Sequence, residues 1–267
     1  MLNGSLDKHL FNAPPGYHLP WHCRYRVLNG VVSALHYLHN EYDQKVVHRD
    51  LKASNIMLDA DFNPRLGDFG LARAIDNERT SYAEVELDGV PGTMGYIAPE
   101  CFHTGKATRE SDVFGFGAVV LEVVCGRRPR CDIGGFRFLA DWVWELHRLG
   151  TILNAVDQKL GSDYVGEEAE RMLLLGLACS HPNPGDRPKT QQIVQIISGS
   201  VPPPQVPAFR PAFVWPSATI SIDDLGDETT TTTSSNMAER ASSLYGPAGM
   251  YTTQFTSIDT VELSMPR

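Results

Sequence analysis

The sequence has 267 residues, of which 42% are hydrophobic and 21% are charged. This ordinary globular composition excludes a fully disordered or collagen-like chain, and the length allows one large domain with or without a tail. Acidic side chains outnumber basic ones by 32 to 23, and the net charge of −9 argues against a nucleic-acid-binding protein, which needs clustered Lys and Arg.

Apolar periodicity predicts a mainly helical domain over residues 1–200. Residues 21–41 repeat apolar side chains every three to four positions, which is typical of a helix with one buried face. Residues 111–125 are apolar on every side, so we expect this helix to run through the middle of the domain. Further helices are predicted at 138–149, 167–179 and 189–197, and short strands at 46–47, 56–58 and 64–66. The predicted fold class is therefore α+β and mainly α-helical.

The composition changes near residue 200, where prolines and then a run of threonines replace the apolar pattern. Such a segment cannot bury enough apolar surface to offset its ordering entropy. We therefore predict a Pro/Thr/Ser-rich, largely disordered tail over residues 201–267. Phe209, Phe213 and Trp215 are candidates for pinning its first part to the domain surface.

The cysteine content and the hydropathy of the chain indicate its cellular compartment. Five cysteines without a C-x-x-C pair argue against a disulfide framework or zinc ribbon and favour a reducing compartment. The N-terminal residues lack the apolar core of a signal peptide, and no run reaches the ~18 apolar residues of a membrane span. We expect the chain as given to be soluble and cytoplasmic, without membrane contact of its own.

Three short motifs between residues 48 and 100 contain the candidate catalytic residues. Residues 48–55 read H-R-D-L-K-A-S-N and fit the H-R-D-L-x-x-x-N catalytic loop of protein kinases; D-F-G at 68–70 and A-P-E at 98–100 follow in order. Each triplet alone is weak, because chance matches are common. The alternative interpretation, charged turns and a helix start, leaves their shared order and spacing unexplained.

These residue types suit phosphoryl transfer, which needs positioning and charge neutralisation more than covalent chemistry. Asp50 would accept the proton of the substrate hydroxyl, and Lys52 would place a positive charge near the phosphoryl oxygens. Asn55 and Asp68 offer the oxygen ligands that Mg²⁺ prefers. Lysine at position 52 resembles the serine/threonine-kinase form of the loop.

Residues 1–200 resemble the large C-terminal lobe of a eukaryotic protein kinase, and more closely that of the plant receptor-like kinases with a legume (L-type) lectin domain. The stretches that carry the resemblance are N-G-S-L-D at 3–7, G-T-M-G-Y-I-A-P-E at 92–100, S-D-V-F-G-F-G at 111–117 and D-W-V-W at 141–144. We call residues 92–100 the docking loop, because they resemble the substrate-docking loop of that family.

The resemblance implies further roles and ligands. ATP and Mg²⁺ are the expected cofactors, protein substrates are the expected partners, and partner receptor kinases are further candidates. Thr93 would lie beside Asp50 and Lys52, and Met57 would form part of the adenine floor. The resemblance also implies that a buried Asp112 anchors the catalytic-loop backbone and that Glu100 pairs with Arg187.

The family's nucleotide lid, a G-x-G-x-x-G loop followed by a strand lysine and a helix glutamate, is not found before Asp50. We therefore expect an N-terminally truncated kinase, without the small lobe, whose full-length parent works on the cytoplasmic side of the plasma membrane. A second hypothesis is a catalytically silent lobe that binds partners as a decoy or scaffold. A small-molecule phosphotransferase is disfavoured by the docking loop.

Arg49 and the spacing of the histidines give two weaker signals. Arg49 directly precedes Asp50 and could pair with a phosphate on the segment between residues 68 and 100, where the central hydroxyls belong to Thr80, Ser81 and Tyr82. Histidines stand four apart at 18 and 22 and three apart at 36 and 39, but neither pair has an H-E-x-x-H context. We expect no metal other than magnesium.

Overall fold

The computed structural model describes residues 1–74 and 92–214, and α-helices make up most of its regular structure. In chain order the helices of the described residues are α1 (Leu6–Phe11), α2 (Trp21–His36), α3 (Pro99–Thr104), α4 (Arg109–Cys125), α5 (Leu139–Arg148), α6 (Gly166–Cys179) and α7 (Thr190–Ile197). The predicted α+β, mainly helical fold class is confirmed. The five predicted helices correspond to α2, α4, α5, α6 and α7.

The strands within the described residues form three short antiparallel pairs. They are β1 (Val46–Val47) with β4 (Arg73–Ala74), β2 (Ile56–Leu58) with β3 (Pro64–Leu66), and β5 (Arg130–Ile133) with β6 (Phe136–Phe138). The sequence predicted β1, β2 and β3 but not the other strands, nor α1 and α3. Elements this short contain too few apolar residues for periodicity to detect.

Helix α4 lies in the centre of the core, as predicted from its uniformly apolar sequence. Every residue from Ser111 to Cys125 is buried. The Thr108 hydroxyl begins the helix by accepting the backbone N–H of Ser111 at 3.1 Å, while the Ser111 hydroxyl accepts the N–H of Thr108 at 2.9 Å. Helix α6 packs closely on α4 because Gly117 has no side chain: a Cβ there would lie 2.6 Å from Ser180 Oγ.

Helix α2 buries one face against the core and continues as a π-helical turn, Tyr37–Glu41, before β1 begins. The predicted helix over residues 21–41 is therefore confirmed, with a wider last turn. That turn buries His39 next to α4, where the ring Nε2 lies 2.8 Å from Asp112 Oδ2. The turn thus connects the end of α2 to the start of the central helix.

The described part of the C-terminal region, residues 201–214, crosses the surface of α5 without regular secondary structure; we call it the strap. Trp144 Nε1 donates to the carbonyl oxygen of Pro207 at 3.0 Å, and Arg210 forms an ion pair with Asp141. The Phe213 ring stacks on His103 of α3, with centroids 5.7 Å apart. Trp215 and the residues after it lie outside the described ranges, and the domain boundary at residue 200 stays a prediction.

Among the helices of residues 1–74 and 92–214, none combines the length and the apolar character that crossing a bilayer requires.

Candidate active site

The catalytic loop, residues 48–55, spans the gap between β1 and β2, and the central helix holds its backbone. Asp112 of α4 accepts the N–H of His48 at 2.7 Å on Oδ2 and the N–H of Arg49 at 2.8 Å on Oδ1. Asp112 is only 2% exposed and also contacts His39. Arg49 has a positive φ of 74°, a conformation that costs energy in a non-glycine residue and that these two bonds help to maintain.

Asp50 lies at the centre of a cluster of polar side chains. Lys52 Nζ donates to Asp50 Oδ2 at 2.5 Å and to Thr93 Oγ1 at 3.2 Å. The Asn55 amide nitrogen donates to Asp50 Oδ2 at 3.0 Å and to the Asp50 carbonyl oxygen at 2.9 Å. The structure therefore brings an acid, a cation and an amide of the catalytic loop together with a hydroxyl that lies 41 positions beyond Lys52 in the sequence.

Asp68 follows the β2–β3 hairpin and comes next to the same loop. The N–H of Gly67 donates to the carbonyl oxygen of Asn55 at 2.8 Å, and His48 Nε2 lies 3.0 Å from the carbonyl oxygen of Gly67. Asp68 is exposed, has φ of 54°, and accepts the N–H of Gly70 at 3.4 Å. Its carboxylate is thus held on the solvent side of the catalytic loop.

The oxygen atoms of this region suit a hard divalent cation. The Asn55 amide nitrogen makes both of its hydrogen bonds with Asp50, so the amide oxygen is left for a ligand. Asp68 adds a solvent-facing carboxylate. No group of three or more His, Cys, Asp or Glu side chains with metal-site geometry occurs within the described residues.

Met57, His36 and His39 contact other parts of the domain. Met57 is half-buried in β2 and pairs through its backbone with Ser5. Of the spaced histidines, His39 contacts Asp112, as described above, and His36 Nδ1 lies 3.0 Å from Thr190 Oγ1.

Glu100 and Arg187 form a buried two-pronged ion pair. Arg187 Nη1 lies 2.6 Å from Glu100 Oε1, and Nη2 lies 2.7 Å from Oε2. The guanidinium also donates to the carbonyl oxygens of His181, Pro182 and Glu110. The pair joins α3, at the end of the docking loop, to the segment before α7.

Arg49 lines a small pocket together with Tyr96, Cys101 and Ser111. Its Nε atom is buried and has no hydrogen-bond partner among the described residues. Burial lowers the pKa of this guanidinium, and the nearby positive charge of Arg73 lowers it further. The suggested phosphorylation sites Thr80, Ser81 and Tyr82 lie outside the described residues.

A second buried acid, Glu122 of α4, was not predicted from the sequence. The Tyr96 hydroxyl donates to Glu122 Oε2 at 2.7 Å, which links α4 to the docking loop. Glu122 is fully buried, and this burial raises its pKa to about 8. Burial and the Glu122 charge also raise the pKa of Tyr96. The available signal was an acid placed between the apolar residues Leu121 and Val123 in the last part of α4.

Comparison with known proteins identifies the family. The model of the protein kinase domain family matches residues 2–196. The chain is 46% identical over 233 residues to the probable L-type lectin-domain containing receptor kinase S.5 of Arabidopsis thaliana, covering 84% of this chain and 35% of that protein. It is 50% identical over 220 residues to receptor kinase VIII.2 of the same plant, covering 79% of this chain and 30% of that protein.

A third relative comes from rice. The chain is 52% identical over 208 residues to the L-type lectin-domain containing receptor kinase SIT2 of Oryza sativa subsp. japonica, covering 77% of this chain and 30% of that protein. The chain thus spans about a third of the length of these curated relatives. The family match extends over most of the sequence and includes the Asp50 cluster, so this chain belongs to the protein kinase domain family.

Proposed function

We propose that the chain is the large lobe of a serine/threonine protein kinase, which transfers the γ-phosphate of ATP to hydroxyl groups of proteins. The observation that carries this proposal is the contact cluster of Asp50, Lys52, Asn55 and Thr93. Phosphoryl transfer depends on fixed positions and on neutralised charge, and this cluster supplies both.

Asp50 is the proposed general base. Both side-chain hydrogen bonds to its carboxylate, from Lys52 and Asn55, fall on Oδ2. Oδ1 remains to accept the proton of a substrate hydroxyl and to orient its oxygen for attack. The bonds to Oδ2 fix the carboxylate, so that its position does not have to be established during the reaction.

Lys52 and Thr93 are the proposed partners of Asp50 on the substrate side. The ammonium group of Lys52 lies between the Asp50 carboxylate and the Thr93 hydroxyl, where it can neutralise charge that develops on the transferred phosphoryl group. Thr93 belongs to the docking loop, so its contact with Lys52 couples substrate placement to the catalytic loop.

Asn55 and Asp68 are the proposed holders of Mg²⁺, and Met57 is the proposed floor of the adenine site. When bound, Mg²⁺ with ATP supplies the phosphoryl group and neutralises the charge on its phosphates. The contact between Gly67 and Asn55 keeps the two metal-holding residues on adjacent backbone. Asp112 and the Glu100–Arg187 pair are proposed to hold the loops in place without touching substrate.

The similarity to receptor kinases suggests the cellular setting. We place this chain in receptor-type signalling, on the cytoplasmic side of the plasma membrane in its parent protein, with protein substrates and receptor kinases as partners. Residues 1–200 form the proposed catalytic unit and residues 201–267 a tail. The support is the sequence identity to the L-type lectin-domain receptor kinases of Arabidopsis thaliana and rice.

An assay of Asp50→Asn tests the proposed reaction. Because the 267 residues contain no G-x-G-x-x-G motif, the chain is joined behind a protein-kinase small lobe that carries one. We expect Asp50→Asn to slow transfer of ³²P from ATP to a protein substrate by about 10²–10⁴-fold. Nucleotide affinity, measured by calorimetry, should stay nearly the same.

Asp61→Asn is the matched control, because it makes the same change at an exposed residue outside the cluster. Equal rates for Asp50→Asn and the unchanged fusion would refute the role of Asp50. Background rates in every fusion would favour the alternative function, a silent lobe that binds partners.

We further propose that a phosphate on Thr80, Ser81 or Tyr82 activates the kinase by pairing with Arg49. Support comes from the unpartnered Nε of Arg49 and from the nearby charge of Arg73, since two adjacent cations favour an anion between them. Replacing the three residues together by Ala, Ala and Phe should lower the rate of the fusion protein after autophosphorylation. A rate that matches the unmutated protein rules out activation at this site.

A further inference from the structure

A small pocket of about 200 Å³ lies directly beside the Asp50 cluster, between α1, α4 and the docking loop. Lys52 and Thr93, which contact each other next to Asp50, both line it. The volume is below the roughly 300 Å³ at which small-molecule sites begin, so the pocket suits a single side chain rather than a whole ligand. A peptide that presents a hydroxyl group to Asp50 would therefore pass next to this pocket.

Two arginines of this pocket are open to a substrate. Arg128, between α4 and β5, and Arg130, the first residue of β5, line the pocket and are exposed. The Arg128 guanidinium lies over the Phe11 ring, with Cζ 4.4 Å from the ring centroid. Among the carboxylates that the structure describes, none lies within salt-bridge distance of either guanidinium. Both groups are thus available to an acidic side chain, which a guanidinium can bind through two parallel N–H donors.

The acidic side chains of the pocket are much less accessible. Glu122 is fully buried, its Oε2 atom accepts the Tyr96 hydroxyl, and burial raises its pKa to about 8, so it carries no charge at neutral pH. Asp7 of α1 is half-buried, and its Oδ1 atom is out of a substrate's reach. The remaining cation, Lys52, is already paired with Asp50. The pocket therefore presents an excess of positive charge.

We propose that Arg128 and Arg130 select protein substrates that carry an Asp or Glu close in sequence to the phosphorylated Ser or Thr. This inference rests on the proposed kinase function and names the substrate class of that site. Lys52 contacts Asp50 and also lines the pocket, so about one side-chain length separates the substrate hydroxyl from the acidic residue. An extended peptide, which advances by about 3.3 Å per residue, covers that distance within about four positions.

A positional peptide assay of the small-lobe fusion tests the proposal. Each peptide contains one Ser in a neutral background and carries a single Glu, Gln or Lys at one of the about four positions on either side of it. We expect kcat/KM of the best Glu peptide to exceed that of its Gln counterpart by about three- to tenfold, and the Lys counterpart to be the poorest. Because both guanidinium groups are exposed, the preference should shrink as NaCl screens the charges.

Changing the charge of the pocket should change the preference. Arg128→Gln combined with Arg130→Gln should abolish the preference for Glu over Gln, and replacing both arginines by Glu should transfer it to the Lys peptide. A merely structural role would instead lower the rates for all peptides alike. Arg137→Gln is the matched control, because Arg137 is an exposed arginine that does not line the pocket, and it should keep the full preference. If the double variant fails to fold, Arg130→Gln alone should reduce the preference.

Fluorescence anisotropy of the same peptides, labelled and mixed with the 267-residue chain, gives a readout that needs no phosphate transfer. The Glu peptide should bind about three- to tenfold more tightly than the Gln peptide. If the fusion is inactive, this measurement decides: selective binding would support the role of the two arginines while counting against the kinase function, and unselective binding would overturn both.

Two results in an active fusion would overturn the selection and leave the kinase function standing. One is equal kcat/KM for the Glu, Gln and Lys peptides at every position, in a fusion whose activity depends on Asp50. The other is a preference for Glu that persists in full when Arg128 and Arg130 are both replaced by Gln.

Discussion

The two halves of the candidate active site are built in different ways. On the catalytic-loop side, Asp50 and Asn55 are 8% and 7% exposed and bond to each other. On the other side, Asp68 is exposed and accepts one long hydrogen bond, from Gly70 at 3.4 Å. One half is fixed by the body of the domain, whereas the other presents its carboxylate to solvent.

The difference suits the tasks proposed for the two halves. A general base must be held close to one position, and the contacts from Lys52, Asn55 and Asp112 provide that restraint. A metal-holding carboxylate must keep its oxygens available, because the cation itself supplies the strong interaction. In this proposal the catalytic-loop half is preorganised, and the Asp68 half would be completed by the bound cation.

The largest expected difference between the halves is in stability. Asp112→Ala leaves the buried N–H groups of His48 and Arg49 without their acceptor, so we expect the free energy of unfolding to fall by about 3 kcal/mol or more. Asp68→Ala, the matched change on the exposed side, should cost less than about 0.5 kcal/mol. Urea denaturation of the 267-residue chain measures both. Similar losses in the two variants would contradict the comparison.

A second prediction concerns the acid beneath the docking loop. The folded chain keeps the Glu122 proton up to about pH 8, because burial raises the pKa from its ordinary 4.5, and the charge of Asp7 adds to the rise. The Tyr96 hydrogen bond and Arg128 act in the opposite direction but do not outweigh burial.

The unfolded chain releases this proton at its ordinary pKa, so the folded state binds more protons between pH 4.5 and about 8. The free energy of unfolding should therefore fall as pH rises through that window, by up to about 1.4 kcal/mol per pH unit. Glu122→Gln should remove this contribution. Denaturation at several pH values, with the variant curve subtracted, measures it; parallel curves would show that Glu122 ionises normally.

The smallest expected effect is on cation binding at the open half. Asp68→Asn should lower the affinity for Mn²⁺, used as a spectroscopic substitute for Mg²⁺, by about fivefold, or ~1 kcal/mol. Electron paramagnetic resonance of free Mn²⁺ in solutions of the 267-residue chain measures the affinity. Asp61→Asn is a control on another exposed acid. Equal affinities for Asp68→Asn and the unchanged chain would remove Asp68 from the proposed metal site.

The helical body and the candidate site residues could be predicted from the amino-acid sequence alone. The apolar pattern of residues 111–125 predicted a central helix because a helix that is apolar on all sides must be buried, and α4 is. The order of the H-R-D, D-F-G and A-P-E motifs indicated a kinase lobe. Such motifs can be recognised from the sequence because each consists of neighbouring residues.

Contacts between residues that are distant in sequence could not be predicted and become visible in the folded chain. The contact of His39 with Asp112 spans 73 positions, and that of Tyr96 with Glu122 joins the docking loop to α4. The pocket beside Lys52 likewise exists only once α1, α4 and the docking loop are assembled. Periodicity reports which face of an element is buried, but the partner on that face, and the pKa that the partner and burial impose, depend on packing between elements far apart in the chain.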